Sequence, residues 1–329
     1  MNVLSLFDGM SCGRIALERL GIKVDNYYAS EIDKYAMKVS EANYPDIIQV
    51  GDVTELDTST LPNIDLVMGG SPCQGFSFAG KQLAFDDPRS ALFFEFVRCV
   101  KELKPKYFLL ENVRMKKEYL DIITEYMGVE PIIINSALVS AQNRVRYYWT
   151  NIPGVKQPKD KGMFLKDILE DDVEEPMYSN IYGGFGEKKP REHYNKSVTI
   201  RANSGGGSIP SVKLKNFWLS DKAIDYMNRS SSKWSGGKTR KDIYIKNESE
   251  KGMCLTANMY KGVPYGIIET KQKKWRQLMP IECERLQTVP DDYTNHVSNT
   301  QRYKMLGNGW TVEVIAHILQ NMEINHREC

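Results

Sequence analysis

The sequence is poor in the residues that build disulfide frameworks and metal sites. Its 329 residues include six cysteines, none in a Cys-x-x-Cys pair, and four histidines, none spaced as a metal-binding pair. We therefore expect no disulfide framework, no metal site and a reducing compartment. No apolar run of ~18 residues could span a bilayer, and the first residues lack the basic region of a signal peptide. These absences predict a soluble cytoplasmic protein without a membrane partner.

A large excess of charge of one sign is missing from the whole chain but present locally. The formal net charge is +2. Residues 181–275, called the basic segment below, contain 19 lysines and arginines against 8 acidic residues, whereas the rest of the chain carries 25 basic and 34 acidic residues. A solvated lysine-rich face would have the same composition, but a basic segment on an acidic body also predicts a surface for a polyanion.

Apolar runs alternate with amphipathic stretches through the first half of the chain. Strands are predicted at 2–7, 26–30, 47–50, 64–68, 107–110, 132–135 and 146–149, and helices at 14–20, 33–43, 90–103 and 118–127. This alternation predicts an α/β fold with a doubly wound, parallel, Rossmann-like sheet. Glycine-rich loops after Pro153 predict a smaller, irregular, β-rich domain. We assign 1–178 and 301–329 to the first domain and 179–300 to the second domain with its hinge.

Turns after three consecutive predicted strands carry residues typical of a nucleoside site. Gly9, in the turn after the first strand, allows a sharp bend and a close approach of the backbone to a cofactor. This turn is not a Gly-x-Gly-x-x-Gly motif, so a dinucleotide is not specifically indicated. Glu31 ends the second strand, where an acid can bind ribose hydroxyls, and Asp52 follows the third, where an acid can accept from an adenine amino group. Acids in such loops are common, but three consecutive positions favour a nucleoside cofactor.

A thiol, a carboxyl group and two guanidinium groups are predicted at the same edge of the sheet. Cys73 lies in a Ser-Pro-Cys-Gln loop after the fourth strand, where ligands bind in open α/β sheets. A lone cysteine is most often a small buried residue, but this loop favours a presented, reactive thiol. Glu111 ends the fifth strand, and Arg144 and Arg146 are spaced i, i+2 on one face of a strand. Each arginine alone could be a surface ion-pair partner, but together the four predict the mouth of a nucleoside pocket.

With these motifs in this order, the sequence resembles the DNA (cytosine-5) methyltransferases over nearly its whole length. The matching pieces are Phe7-Asp8-Gly9, Glu31, Gly51-Asp52-Val53, Gly70-Ser71-Pro72-Cys73-Gln74, Glu111-Asn112-Val113, Gln142-x-Arg144-x-Arg146, Arg285-Leu286-Gln287 and Gly307-Asn308. The compact size resembles bacterial and phage members, and residues 6–9 and 146–149 are similar to the vertebrate de novo enzymes. Two departures stand out: bacterial relatives usually carry paired glycines at Ser11-Cys12, and a small residue and valine at Gly309-Trp310.

The resemblance implies transfer of a methyl group from S-adenosylmethionine to C5 of a cytosine flipped out of a specific double-stranded DNA sequence. It implies that the Cys73 thiolate attacks C6 and that Glu111 holds N3 and the exocyclic amine. It further implies that Arg144 binds the O2 edge of the base and that Arg146 supports the loop or the sugar-phosphate.

The resemblance also implies which residues bind the cofactor and the DNA. Cofactor contacts are expected from Phe7, Asp8, Gly9, Met10, Ser11, Glu31, Ile32, Asp52, Val53, Pro72, Leu92, Asn308 and Gly309. The family places its target-recognition domain between Gln-x-Arg-x-Arg and Arg-Leu-Gln, an interval that contains the basic segment. DNA contacts are expected from Gln74, Lys188, Lys189, Arg201, Arg240 and Lys241. The base sequence that is read does not follow from these residues.

Two other functions stay open beside this one. An inactive DNA-binding regulator on the same fold would have lost the Pro-Cys or Glu-Asn-Val residues, which are intact here. A tRNA cytosine-5 methyltransferase would carry a Cys-Phe-Thr signature, which the sequence lacks. We expect a monomeric enzyme of restriction-modification or phage self-protection, with double-stranded DNA as partner and, in the first case, a cognate restriction endonuclease.

Overall fold

A computed structural model of the chain describes residues 1–71, 88–170, 218–229, 239–270 and 275–323. The first half forms β1 (Asn2–Leu6), α1 (Cys12–Arg19), β2 (Asn26–Ser30), α2 (Lys34–Asn43), β3 (Ile47–Gln49), β4 (Leu66–Gly69), α3 (Pro88–Leu103), β5 (Tyr107–Val113), α4 (Lys117–Met127), β6 (Ile132–Asn135) and β7 (Val145–Thr150). The second half forms α5 (Asp221–Asn228), α6 (Arg240–Tyr244), β8 (Lys246–Asn247), β9 (Ile267–Glu269), β10 (Trp275–Gln277), α7 (Pro280–Leu286), α8 (Asn299–Asn308) and α9 (Val312–Leu319). None of the helices in these ranges is long and apolar enough to cross a membrane.

The central sheet has seven strands in the order β3-β2-β1-β4-β5-β7-β6. The strands from β3 to β5 are parallel to their neighbours, which confirms the predicted doubly wound α/β fold. The prediction of an all-parallel sheet was wrong for β7, which is antiparallel to both β5 and β6. The reason is the short connection 136–144 between β6 and β7, because parallel neighbours need a crossover of a dozen or more residues.

The predicted positions of the strands hold closely, with one difference that matters for the site. The strands predicted at 26–30 and 132–135 have those bounds in the structure. The strand predicted at 107–110 continues as β5 to Val113, because Glu111, Asn112 and Val113 pair with Tyr148, Tyr147 and Arg146 of β7. Glu111 is therefore held inside a strand, where its backbone cannot move independently of the sheet.

Hydrophobic clusters cover both faces of the central sheet. Leu4 and Leu6 of β1 point into a cluster with Phe93, Phe96 and other side chains of α3 and α4. Val3, which lies between Asn2 and Leu4 in β1, belongs to a second cluster on the other face that includes side chains of α1, α8 and α9. Strands buried on both faces explain why the sequence reads as short continuous apolar runs rather than as a polar–apolar alternation.

The C-terminal helices contact elements of the central sheet and its flanking helices. On α1, Arg19 Nη1 lies 2.8 Å from Glu313 Oε2 of α9, and Arg19 Nη2 donates to Thr288 O at 2.7 Å. On the other side, Gln142 Nε2 donates to Leu286 O of α7 at 2.7 Å. These contacts hold the turn between α8 and α9 at the carboxyl edge of the sheet. The proposed division into two domains stays a prediction.

Candidate active site

The turn after β1 adopts a left-handed backbone at three positions. Phe7, Gly9 and Ser11 have φ angles of 55°, 61° and 60°. Ser11 Oγ donates to Asp8 Oδ2 at 2.5 Å and lies 2.8 Å from Ser40 Oγ on α2, which stabilises a conformation that serine rarely adopts. Among the described residues, no atom lies within 4 Å of the position that a Cβ on Gly9 would take. The turn therefore presents its backbone to open space, as a close approach to a ligand requires.

Glu31 is fixed by three backbone amides at the end of β2. Gly9 N donates to Glu31 Oε2, and Ile32 N and Asp33 N donate to Oε1, each at 2.7 Å. The adjacent side chain of Ile32 is 74% exposed. A carboxylate held by amides keeps lone pairs for hydroxyl groups, and an exposed apolar side chain beside it offers a surface for a flat ring.

Asp8 lies beside this turn with a carboxyl group that is costly to ionise. Tyr27 OH donates to Asp8 Oδ1 at 2.8 Å, on the opposite oxygen from Ser11. Burial raises the pKa of Asp8 to about 6, although hydrogen bonds from Ser11, Ser5 and Tyr27 act in the opposite direction, and the nearby negative charge of Glu31 adds to the rise. Asp8 is therefore an internal support of the turn that titrates near neutral pH.

The remaining predicted cofactor residues differ in what they can offer to a ligand. Asp52 Oδ1 accepts from Thr54 N and Thr54 Oγ1 at 2.9 Å each and caps the short 3-10 turn after β3. The side chains of Met10 and Val53 are buried in the core, so only their backbone atoms can reach a ligand. Leu92 is half-buried, Asn308 is exposed at the end of α8, and Gly309 follows it.

Glu111 is the focus of the polar contacts at the carboxyl edge of β5. The residue is buried, and its side chain is 11% exposed. Arg146 Nε lies 2.9 Å from Glu111 Oε1, and Trp310 Nε1 donates to Glu111 Oε2 at 3.2 Å. Burial alone would lower the pKa of Arg146, but the negative charge of Glu111 helps to raise it above its ordinary value. Each oxygen of this nearly buried carboxyl group therefore has its own donor.

Arg144 and Arg146 do not face the same partners, although the i, i+2 spacing suggested one shared face. The Arg144 side chain is buried and donates to three backbone carbonyls: Leu255 O at 3.0 Å, Gly307 O at 3.3 Å and Gly309 O at 2.8 Å. Arg144 precedes β7, whereas Arg146 lies within it. Arg144 therefore contacts the backbone at the end of α8 and just after it, whereas Arg146 contacts Glu111.

The loop predicted to carry the nucleophile begins beside Glu111. Asn112 Nδ2 donates to Ser71 Oγ at 3.2 Å and to Ser71 O at 3.5 Å, which anchors the start of the loop to β5. Cys73 follows Ser71 by two positions and lies outside the described residues, as do Pro72 and Gln74. The described residues thus place the beginning of that loop, and the Cys73 thiol stays a sequence prediction.

Trp310 is a site residue that sequence reasoning missed. The sequence marked Gly309-Trp310 and Ser11-Cys12 as departures from relatives, but it did not connect them. In the structure, a Cβ on Gly309 would meet Met10 Cε at 2.9 Å and Cys12 Sγ at 3.4 Å. The backbone N–H of Trp310 also faces Cys12, whose pKa burial raises to about 12. The two departures therefore pack against each other. That both pairs depart from the relatives together is the signal in the sequence that could have pointed to Trp310.

Two of the six predicted DNA-binding residues are described. The Arg240 guanidinium lies over the Tyr226 ring at 4.4 Å, and Lys241 is exposed on α6. Lys188, Lys189 and Arg201 lie outside the described residues together with Gln74. Where the chain is described, no group of three or more His, Cys, Asp or Glu side chains is placed to hold a metal ion.

Known proteins are similar to this chain over almost its whole length. The family model described as C-5 cytosine-specific DNA methylase matches residues 1–323. The chain is 33% identical to Type II methyltransferase M1.ScrFI of Lactococcus lactis subsp. cremoris over 98% of this chain and 77% of that protein. It is 28% identical to Type II methyltransferase M.HhaI of Haemophilus parahaemolyticus over 98% of this chain and 94% of that protein.

A solved structure adds evidence for the fold. The crystal structure of a DNA modification methyltransferase encoded within an E. coli prophage superposes with a TM-score of 0.65 at 23% identity and covers 98% of both chains. The sequence match over almost the whole chain, together with this shared architecture, identifies the family. The chain belongs to the C-5 cytosine-specific DNA methylase family and is a DNA (cytosine-5) methyltransferase.

Proposed function

We propose that this enzyme transfers a methyl group from S-adenosylmethionine to C5 of a cytosine that is flipped out of a specific double-stranded DNA sequence, through a covalent bond between Cys73 Sγ and C6. The observation that carries the proposal is Glu111, a buried residue whose carboxyl group is held between Arg146 and Trp310 beside the start of the Cys73 loop. A carboxyl group held in this way can bind the N3 and amino edge of cytosine.

The turn after β1 and the ends of β2 and β3 fit S-adenosylmethionine. Glu31 would bind the ribose hydroxyls, because its carboxylate is held at 2.7 Å by amides and keeps free lone pairs. The exposed Ile32 would cover one face of the adenine ring, and Asp52 would accept from its amino group. Gly9 would face the cofactor through its open backbone. When bound, S-adenosylmethionine supplies the electrophilic methyl group.

Cys73 and Glu111 would overcome the low nucleophilicity of C5. Addition of the Cys73 thiolate to C6 converts the ring into an enamine whose C5 is nucleophilic. Glu111 would hold N3 and deliver a proton there, which neutralises the charge that develops on the ring during the addition. After methyl transfer, Glu111 takes the N3 proton back, a base removes the C5 proton and the thiolate leaves, which restores both the aromatic ring and the enzyme.

Arg146 is the arginine that we place beside the base. Its Nε contacts Glu111 Oε1 at 2.9 Å, Nη1 donates to Val145 O at 2.9 Å and Nη2 contacts Cys254 Sγ at 3.8 Å. Each terminal nitrogen carries a second N–H, which would donate to a pyrimidine O2. We propose a different role for Arg144 from the one that the resemblance implied, because its guanidinium donates to the backbone carbonyls of Leu255, Gly307 and Gly309. We propose that Arg144 acts by holding the turn that carries Trp310.

The burial of Glu111 supports base flipping. A base stacked in a duplex cannot reach the carboxyl group of a buried residue, so the cytosine would have to leave the stack to meet it. The names of the relatives, which are Type II methyltransferases, support a role in restriction-modification. A cognate restriction endonuclease would then be the functional partner, and the basic segment would hold the DNA.

A fluorinated substrate tests the covalent step. Bisulfite sequencing of host DNA after expression identifies the methylated sequence, and a duplex with 5-fluorocytosine at that position is then incubated with enzyme and S-adenosylmethionine. Fluorine cannot leave C5 as a cation, so the adduct cannot resolve and should survive denaturing electrophoresis. Cys73→Ala should abolish both the adduct and methylation while leaving DNA binding largely intact.

Cys254→Ser is the matched control for the fluorinated substrate. Cys254 Sγ lies 3.3 Å from Arg144 Nη1 and 3.8 Å from Arg146 Nη2, so it is a second thiol beside the site. This variant should still form the adduct. An adduct that persists in Cys73→Ala would move the nucleophile elsewhere and contradict the proposal.

A further inference from the structure

We infer that Trp310 is a positioning residue for methyl transfer: its indole N–H holds one oxygen of Glu111 and thereby sets the plane of the carboxyl group that meets the base. The inference rests on the proposed role of Glu111. It concerns a contact that joins residues 199 positions apart in the chain, from β5 to the turn between α8 and α9.

The carboxyl plane of Glu111 is set by two donors of different kinds. Arg146 Nε, 2.9 Å away, holds Oε1 and carries a positive charge, whereas Trp310 Nε1, 3.2 Å away, holds Oε2 and is neutral. With a single donor, the carboxyl group could turn about its terminal bond, because that torsion is broad. With one donor on each oxygen, it is restrained in one orientation.

The indole is suited to this task by its chemistry. Its N–H is a donor only, so it cannot take a proton from Glu111 or offer a competing acceptor. Oε2 therefore stays an acceptor toward Trp310 and keeps one lone pair with which it would accept from the amino group of the base. A hydroxyl or amide at position 310 could turn and present an acceptor instead.

The backbone on both sides of Trp310 is clamped, so the indole is delivered from a rigid support. Gly309 O accepts from Arg144 Nη2 at 2.8 Å and from Gln287 Nε2 at 3.1 Å. Thr311 Oγ1 donates to Gln287 Oε1 at 2.9 Å. A side chain that needed only to fill space would not require these fixed neighbours.

Gly70 shows how closely the pair is packed against the loop that leads to Cys73. A Cβ on Gly70 would lie 2.9 Å from Trp310 Nε1 and 3.0 Å from Glu111 Oε2. These are the two atoms of the hydrogen bond. A real Cβ almost never lies within 3.0 Å of another heavy atom, as it would here with Trp310 Nε1. The absence of a side chain at position 70 therefore makes room for the contact between Trp310 and Glu111.

The experiment removes the indole N–H but keeps an aromatic ring at position 310. Trp310→Phe should lower kcat for DNA methylation about tenfold, because a hydrogen bond to an ionisable acceptor is lost at the reacting edge. The affinities for S-adenosylhomocysteine and for DNA should change by no more than about twofold, since the residue acts on the chemical step. Trp149→Phe is the matched control: its indole N–H donates to Thr124 Oγ1 at 3.0 Å, away from Glu111, and its kcat should stay at the wild-type value.

A double-variant cycle with Glu111→Ala separates positioning from packing. If Trp310 acts through the carboxyl group, Trp310→Phe should cause no further loss of rate once Glu111 is alanine. A loss that persists in full in the double variant, a wild-type kcat for Trp310→Phe, or an effect confined to the affinity for S-adenosylhomocysteine would each overturn the inference. If Trp310→Phe does not fold, Gly70→Ala tests the same contact, because its Cβ should force the two atoms apart and lower kcat similarly.

The two proposals fail in different ways. Full methylation by Glu111→Ala would contradict the proposed function itself. A strongly slowed Glu111→Ala together with a fully active Trp310→Phe would leave that function standing and remove only the role of Trp310.

Discussion

Two carboxyl groups meet at the turn after β1, and their hydrogen-bond donors differ. Glu31 accepts from three backbone amides, all at 2.7 Å. Asp8 accepts from the hydroxyl groups of Ser11 and Tyr27, and burial raises its pKa to about 6. Amides point at one carboxylate and fix it for a ligand, whereas hydroxyls can reorient when the other gains a proton. The same few residues thus contain one fixed acceptor and one group that titrates.

The raised pKa of Asp8 predicts how stability depends on pH. An aspartate with an ordinary pKa near 3.8 in the unfolded chain and about 6 in the fold binds more protons in the native state, so ionisation destabilises the fold as pH rises from about 4 to 6. Asp8→Asn removes this dependence. The unfolding free energy of the variant minus that of the wild type should therefore rise by about 2 kcal/mol between pH 4.5 and pH 7.5. Urea unfolding at the two pH values measures it, and equal differences at both would contradict the assignment.

At the scale of elements, the start of β7 and the turn between α8 and α9 form one unit. Arg144, just before β7, donates to the carbonyls of Leu255, Gly307 and Gly309, and Gln142 donates to Leu286 O. A Cβ on Gly307 would lie 2.1 Å from the carbonyl carbon of Thr256, so these segments touch through their backbones. The Gln-x-Arg part of the motif is therefore an anchor for distant chain segments.

Because their partners differ, the two arginines should respond differently to substitution. Arg144→Met should lower the free energy of unfolding by about 3 kcal/mol, because the carbonyls of Leu255, Gly307 and Gly309 lose a charged donor. Arg146→Met should instead lower kcat strongly with a smaller loss of stability, since its main partner is Glu111. Urea unfolding and methylation rates of both variants decide the matter. Similar losses of unfolding free energy in the two variants would contradict it.

At the scale of the whole molecule, charge is separated along the chain. The basic segment has an excess of 11 positive charges, and the remainder has an excess of 9 negative charges. Of the described predicted contacts, Lys241 is exposed, whereas Arg240 stacks on Tyr226 and also donates to Arg229 O at 3.3 Å. An acidic body repels DNA, so we expect this separation to favour one binding orientation, with the basic segment toward the duplex.

Counterion release makes this orientation measurable. If Lys188 and Lys189 contact phosphates, replacing both with alanine should reduce the slope of log K against log salt by about 2, since each contact contributes about 0.9. Lys23→Ala with Lys104→Ala is the matched control, because both side chains are exposed just before β2 and β5, at the edge opposite the site. That pair should leave the slope unchanged. Equal slopes for all these proteins would mean that the two lysines of the basic segment do not contact DNA.

The sequence by itself determined the alternation of strands and helices, the strands at 26–30 and 132–135, and the family. These follow from local patterns, because burial of a strand or a helix face is written in neighbouring residues and a motif keeps its spacing. Only the tertiary structure decided that β7 is antiparallel, that Arg146 rather than Arg144 meets Glu111, and that Trp310 holds the other oxygen. Each of these depends on the direction of a side chain or strand relative to segments far away in the chain, and spacing along the sequence carries no information about that direction.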